Sequence, residues 1–158
     1  MTTDTKELIR QVKTGLSKTS HKGSPAVVKN ENNGTYELSV YGRGEVSPNV
    51  LGEQLLKLKI AFPSRSDEFF NVLAERIVAN GFTDRRLKDA VSKVIDSFSF
   101  KEFNVSDIVS FDKRVKLYTY SELGDMISKG YRMEDFEIKK VDGKNFWIKI
   151  SEKHQQNI

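Results

Sequence analysis

The sequence predicts an α+β fold, with a four-helix body, a small C-terminal β-α-β-β unit and a flexible N-terminal arm. Three observations carry that prediction. Apolar residues recur at helical spacing through residues 48–111, punctuated by cap residues, Pro63 and Gly81. Beyond residue 114 the pattern alternates, turns helical over 120–129, and alternates again over 135–150. Asp142-Gly143 lies between the last two alternating runs and marks a hairpin.

Each element has its own signal. Leu8, Ile9, Val12 and Leu16 fall on one face of a short amphipathic helix over 5–17, which Gly15 weakens. Residues 18–34, rich in Ser, Lys, Asn and Gly, read as a linker. Tyr36–Tyr41 alternates as a strand, with residues 115–119 or the hairpin edge as its expected partner. Ser47 before Pro48 starts a helix whose inward stripe is Leu51, Leu55, Leu58 and Phe62. Ser66 caps the next, with Phe69, Phe70, Leu73 and Ile77 inward and Gly81 as the left-handed terminator. Thr83 caps a third, carrying Leu87, Ala90, Val91, Val94, Ile95 and Phe98. Asn104 with Asp107 opens a short fourth helix. Val115–Thr119 is a strand, Thr119 and Glu122 form a capping box, and the helix behind them presents Leu123, Met126 and Ile127. Residues 1–34 are thus an arm, 35–151 a single compact domain and 152–158 a disordered tail.

The hairpin register follows from turn chemistry. A two-residue loop pairs Val141 with Lys144 and splits the apolar residues between faces. A turn with Gly143 as a bulge pairs Lys140 with Lys144 and lines Phe136, Ile138, Phe146, Ile148 and Ile150 on one face. The bulged turn is the expectation. It sets Trp147 on the other face, near Glu137, Lys139 and Lys149.

Composition narrows function by exclusion. The chain has no Cys, which removes disulfides, thiol nucleophiles and thiolate metal sites. Its net charge of +4 is concentrated in residues 1–34, where six basic residues face three acidic ones. The remainder is nearly neutral, unlike a dedicated duplex binder. His21 lies in the linker and His154 in the tail, neither held for acid–base work. Tyr41-Gly-Arg-Gly44 lacks the third glycine and the following helix of a dinucleotide loop. The reading is a non-enzymatic protein with no cofactor and no metal. No apolar run reaches the roughly 20 residues of a membrane span, and no signal-peptide core opens the chain, so the expected location is cytoplasmic.

Three groups of residues are binding candidates. Leu8, Ile9, Val12 and Leu16 form a hook for a partner. Trp147 with Lys139, Lys149, Tyr118 and Tyr120 combines rings and lysines suited to single-stranded bases or a protein interface. Arg85, Arg86, Lys88 and Lys93 share one helix and could contact phosphates, although Asp84, Asp89 and Asp96 interrupt them. The order of elements after residue 105 also matches half of a winged helix. The roughly five residues between Gly130 and the hairpin leave no room for its recognition helix.

Phe69–Ile77, Gly81–Ile95 and Val105–Ile108 followed by Phe111–Tyr120 resemble small proteins of Bacteroidetes phages and mobile elements. The helical part is similar to phage helicase-loader and replisome-organiser domains, over residues 62–120. Phe100–Ile108 lacks the prolines of the family's short aromatic-Pro helix. The resemblance implies a phage-type origin, a bacterial host cell and a replication-linked role, and it transfers no site residue. The expected function is an accessory protein that binds another protein, such as a replisome or helicase component. The alternatives are a nucleic-acid binder acting through the hairpin and a homo-oligomeric structural or regulatory protein.

Overall fold

A computed structural model describes residues 27–30, 34–97 and 102–155. The chain divides into two compact units, whereas the sequence reading grouped 35–151 together. Leu8, Ile9, Val12 and Leu16 lie outside the described residues, as does Phe98.

The first unit, in its described part, contains α1 (Pro48–Ala61), α2 (Asp67–Ala79), α3 (Asp84–Ser97) and α4 (Val105–Val109). The caps act as their sequence signals require. Ser47 Oγ accepts from the Val50 N–H at 3.4 Å, Ser66 Oγ from Phe69 at 3.3 Å and Thr83 Oγ1 from Arg86 at 3.3 Å. Asp84, at the start of α3, also accepts from the Ser47 N–H at 2.6 Å and the Ser47 hydroxyl at 3.0 Å. One carboxylate therefore ties the openings of α1 and α3 together. Gly81 closes α2 at φ 62°, a conformation that side chains rarely adopt. The expected stripes are buried, with Leu58, Leu73, Ile77 and Leu87 fully so, and Phe69 and Ile95 only partly. Phe103, fully buried, sits between Phe62 at 4.7 Å and Phe69 at 5.3 Å. Arg65 holds that junction, donating to the Phe103 carbonyl at 2.6 Å and lying 4.8 Å over the Phe69 ring.

The second unit contains β1 (Val27–Lys29), β2 (Tyr36–Ser39), β3 (Arg114–Leu117), α5 (Tyr120–Ser128), a 3₁₀ turn (Met133–Asp135), β4 (Phe136–Val141), β5 (Lys144–Lys149) and α6 (Ile150–Gln155). β1, β2 and β3 form an antiparallel sheet in that order, and β4 pairs with β5. The chain at 27–29 is thus a strand where a linker was expected. It pairs Val28 with Glu37 on β2, and two successive valines supply the β-branched residues a strand favours. Residues 152–155, expected as tail, are helical. There Lys153 Nζ meets Glu137 Oε2 at 2.6 Å, and the Tyr118 hydroxyl donates to Glu152 at 3.2 Å.

The expected bulged turn is corrected. Val141 pairs with Lys144 across a two-residue loop, and Asp142 (φ 49°) and Gly143 (φ 77°) both take positive φ. That is a type I′ turn, whose twist matches the strands it joins. Phe136 and Ile138 therefore share a face with Trp147 and Lys149, while Val141, Phe146 and Ile148 occupy the other. The argument for a bulge assumed one buried face, but the hairpin is covered on both. Val141, Phe146 and Ile148 pack with Leu38, Val115 and Leu117. Phe136 and Trp147 pack with Tyr118 and Leu123, supported by Met126. A strand buried on both sides reads as a continuous apolar run, which Phe146-Trp-Ile148 is.

Trp147 also joins the two sheets through its backbone. Its N–H donates to the Tyr118 carbonyl at 2.9 Å, and the Tyr118 N–H donates to its carbonyl at 2.8 Å. No helix among the described residues is long and apolar enough to cross a membrane.

Candidate binding surface

The exposed aromatic surface lies in the second unit and begins at the start of α5. Thr119 Oγ1 accepts from the Glu122 N–H at 3.3 Å, and the Glu122 carboxylate accepts from the Thr119 N–H and hydroxyl, both at 2.9 Å. This capping box fixes the first helical residue, Tyr120, which is 76% exposed. Its ring centroid is 5.9 Å from that of Trp147. Directly across the hairpin from Trp147 stands Ile138, 61% exposed. Tyr131 borders the same surface, its ring 6.4 Å from Phe136 and 4.2 Å from the Lys149 ammonium. Met133, on the 3₁₀ turn, is also exposed.

Two groups in this region are electrostatically shaped. Burial pushes the Glu122 carboxyl up, but the Thr119 N–H, the Lys116 ammonium at 3.1 Å and the Thr119 hydroxyl outweigh it. The net effect lowers its pKa below the ordinary 4.5. A carboxyl lowered by folding stabilises the native state above its unfolded value, and that contribution is lost as pH falls through the folded one. Glu122→Gln is therefore expected to flatten the acid limb of a stability–pH curve below pH 4.5, read by urea denaturation. An unchanged acid limb would show that the capping box carries no such linkage. The Tyr118 phenol is pushed up to about 12 by burial and by the Glu152 carboxylate, so it stays a hydrogen-bond donor across the neutral range.

The structure distributes the sequence candidates unevenly. Trp147 is only 9% exposed and Tyr118 is also buried, so neither offers a ring face to a base. The buried Trp147 Nε1 has no hydrogen-bond partner among the described residues. Lys149 and Tyr120 do border Trp147. Lys139 does not, because it pairs with Phe146 on the opposite face of the hairpin. On α3, Arg86 turns onto its own unit. Its Nε donates to the Phe111 carbonyl at 2.8 Å, its Nη2 to Val109 at 3.3 Å, and its guanidinium lies 4.0 Å over Phe82. It therefore holds the end of α4 rather than a phosphate. Lys93 lies 5.5 Å over Phe111, while Arg85 and Lys88 are exposed.

Sequence reasoning did not single out Ile138, Tyr131 or Met133. The signal for Ile138 was present in the two-residue reading of Asp142-Gly143, which pairs it with Trp147. Tyr131 and Met133 carry no periodic signal, since they lie on irregular chain between α5 and β4. That short connection holds only a 3₁₀ turn and no recognition helix. Among the described residues, no three His, Cys, Asp or Glu side chains converge as a metal site. No family model matches the chain, and neither does any curated protein or solved structure.

Proposed function

We propose that the protein is a non-catalytic accessory protein that binds another protein through the surface formed by Tyr120, Tyr131, Met133 and Ile138. One observation carries the reading: Tyr120 and Ile138 remain exposed on either side of a buried tryptophan. Tyr and Met beside a rigid, packed base are the composition of interface anchors. At the start of α5 and on the 3₁₀ turn the basic groups are already neutralised, which favours a protein over a polyanion there. Lys116 is paired with Glu122 at 3.1 Å, and Arg132 with Glu134 at 2.6 Å. Lys149 already covers the Tyr131 ring, and the Tyr120 ring leans on Trp147 with centroids 5.9 Å apart, so the two rings are held in place rather than splayed for stacking. The helical resemblance of residues 62–120 is what points to a replication component as the partner.

Tyr120→Ala combined with Ile138→Ser removes the anchors from exposed positions. It is expected to weaken partner capture by about 2 kcal/mol while the fold is retained. Affinity capture with both forms, monitored alongside circular dichroism, is the test. Undiminished capture by the folded double variant would remove this surface from the interface. Salt-sensitive quenching of Trp147 by oligonucleotides would favour the nucleic-acid reading instead.

A further inference from the structure

β4 pairs with β5 on one side and with no other strand among the described residues. The backbone on its free side can be assigned. In an antiparallel ladder a residue directs its N–H and C=O to the same neighbour. Trp147 directs both at Tyr118. Ile138, its partner on β4, therefore stands in a non-hydrogen-bonded pair with it, and turns its own N–H and C=O to the free edge. The period of two places those of Lys140 there as well. The Phe136 N–H, next in that series, is already bonded to the Met133 carbonyl.

The charges along this edge are one-sided. β4 itself carries Lys139 and Lys140 against the single acid Glu137, and Lys144 stands across the hairpin on β5. Glu137 is engaged by Lys153 at 2.6 Å. Lys139, Lys140 and Lys144 form no ion pair among the described residues. Lysines on an edge guard against homotypic pairing, and a second copy of β4 paired Ile138 to Lys140 would set Lys139 against Lys139. Residues 1–34 are themselves basic and do not complement this edge. An acidic strand does.

We infer that the β4 edge receives an extended acidic segment of the protein partner as an added strand, with an apolar residue opposite Ile138. This rests on the protein-binding reading above. Backbone hydrogen bonds from Ile138 and Lys140 supply the pairing. The incoming residue opposite Ile138 packs on its exposed side chain. Its neighbour one place along faces Lys139 on the other side of the sheet, and the residue two places along approaches Lys140. Acidic residues at those two places specify the segment.

The test uses the full chain and a fluorescent heptapeptide of valine, aspartate and glutamate, beside a counterpart with lysine for each acid. The acidic peptide is expected to bind saturably and the basic one not at all. Amide exchange measured by NMR should slow at Ile138 and Lys140 but change little at Lys139, whose N–H already faces β5. Ile138→Pro removes the outward donor without touching a β4–β5 bond, and should weaken binding by about tenfold. Lys139→Glu with Lys140→Glu should reverse the peptide preference. Equal binding of both peptides, no saturable binding, unchanged exchange at Ile138 and Lys140, or displacement of the peptide by an oligonucleotide would each overturn the inference. If the edge fails while Tyr120→Ala alone still weakens partner capture, strand addition falls and the docking surface stands.

Discussion

Trp147→Ala is expected to destabilise the second unit by about 3–5 kcal/mol, the range for truncating a large buried aromatic residue. The indole is the centre of the cluster of Tyr118, Leu123 and Phe136, and its loss leaves a cavity where α5 meets the hairpin. Cross-strand bonds to Tyr118 are made by the backbone and survive the substitution, so the cost comes from packing. Trp147→Phe is expected to cost distinctly less, about 1–2 kcal/mol, because a ring still fills most of the space. The indole N–H has no partner among the described residues, so phenylalanine orphans no acceptor there. Urea denaturation followed by circular dichroism compares the three proteins. A Trp147→Ala cost under about 1 kcal/mol would mean that the indole does not knit these elements together.

Phe103→Ala should act with similar force, about 3–5 kcal/mol, in the helical unit. Phe103 is fully buried although it precedes α4 in irregular chain, and it is enclosed by Phe62 and Phe69. Its carbonyl is also the acceptor for the half-buried Arg65 guanidinium, so a shift of the backbone after truncation would cost that hydrogen bond as well. Phe69→Ala, at a partly exposed position, serves as the comparison and is expected to cost less. Denaturant melts of both variants rank the two. An equal or smaller loss for Phe103→Ala would remove the ring from the centre of the unit.

Sequence by itself determined the helical body. Its caps, Ser47, Ser66 and Thr83, and its terminator Gly81 act within one or two turns, and its apolar stripes report burial through local periodicity. The capping box at Thr119 and the hairpin at Asp142-Gly143 were legible for the same reason, and so was the α+β class that follows from them. Three features were decided only by tertiary structure. The hairpin register depended on whether one face or both faces were covered, because moving one residue along a strand exchanges its faces. Trp147 became buried rather than available because α5 and Tyr118 lie against it, a neighbour relation that no spacing along the chain encodes. Arg86 left its expected row to bind carbonyls at the end of α4, more than twenty residues away in sequence. The binding surface combines both kinds of information. Local signals place Tyr120 at the start of a helix and Ile138 on a strand, and only the packing of distant elements brings the two to opposite sides of one tryptophan, since nonlocal contacts leave no periodic trace in the sequence.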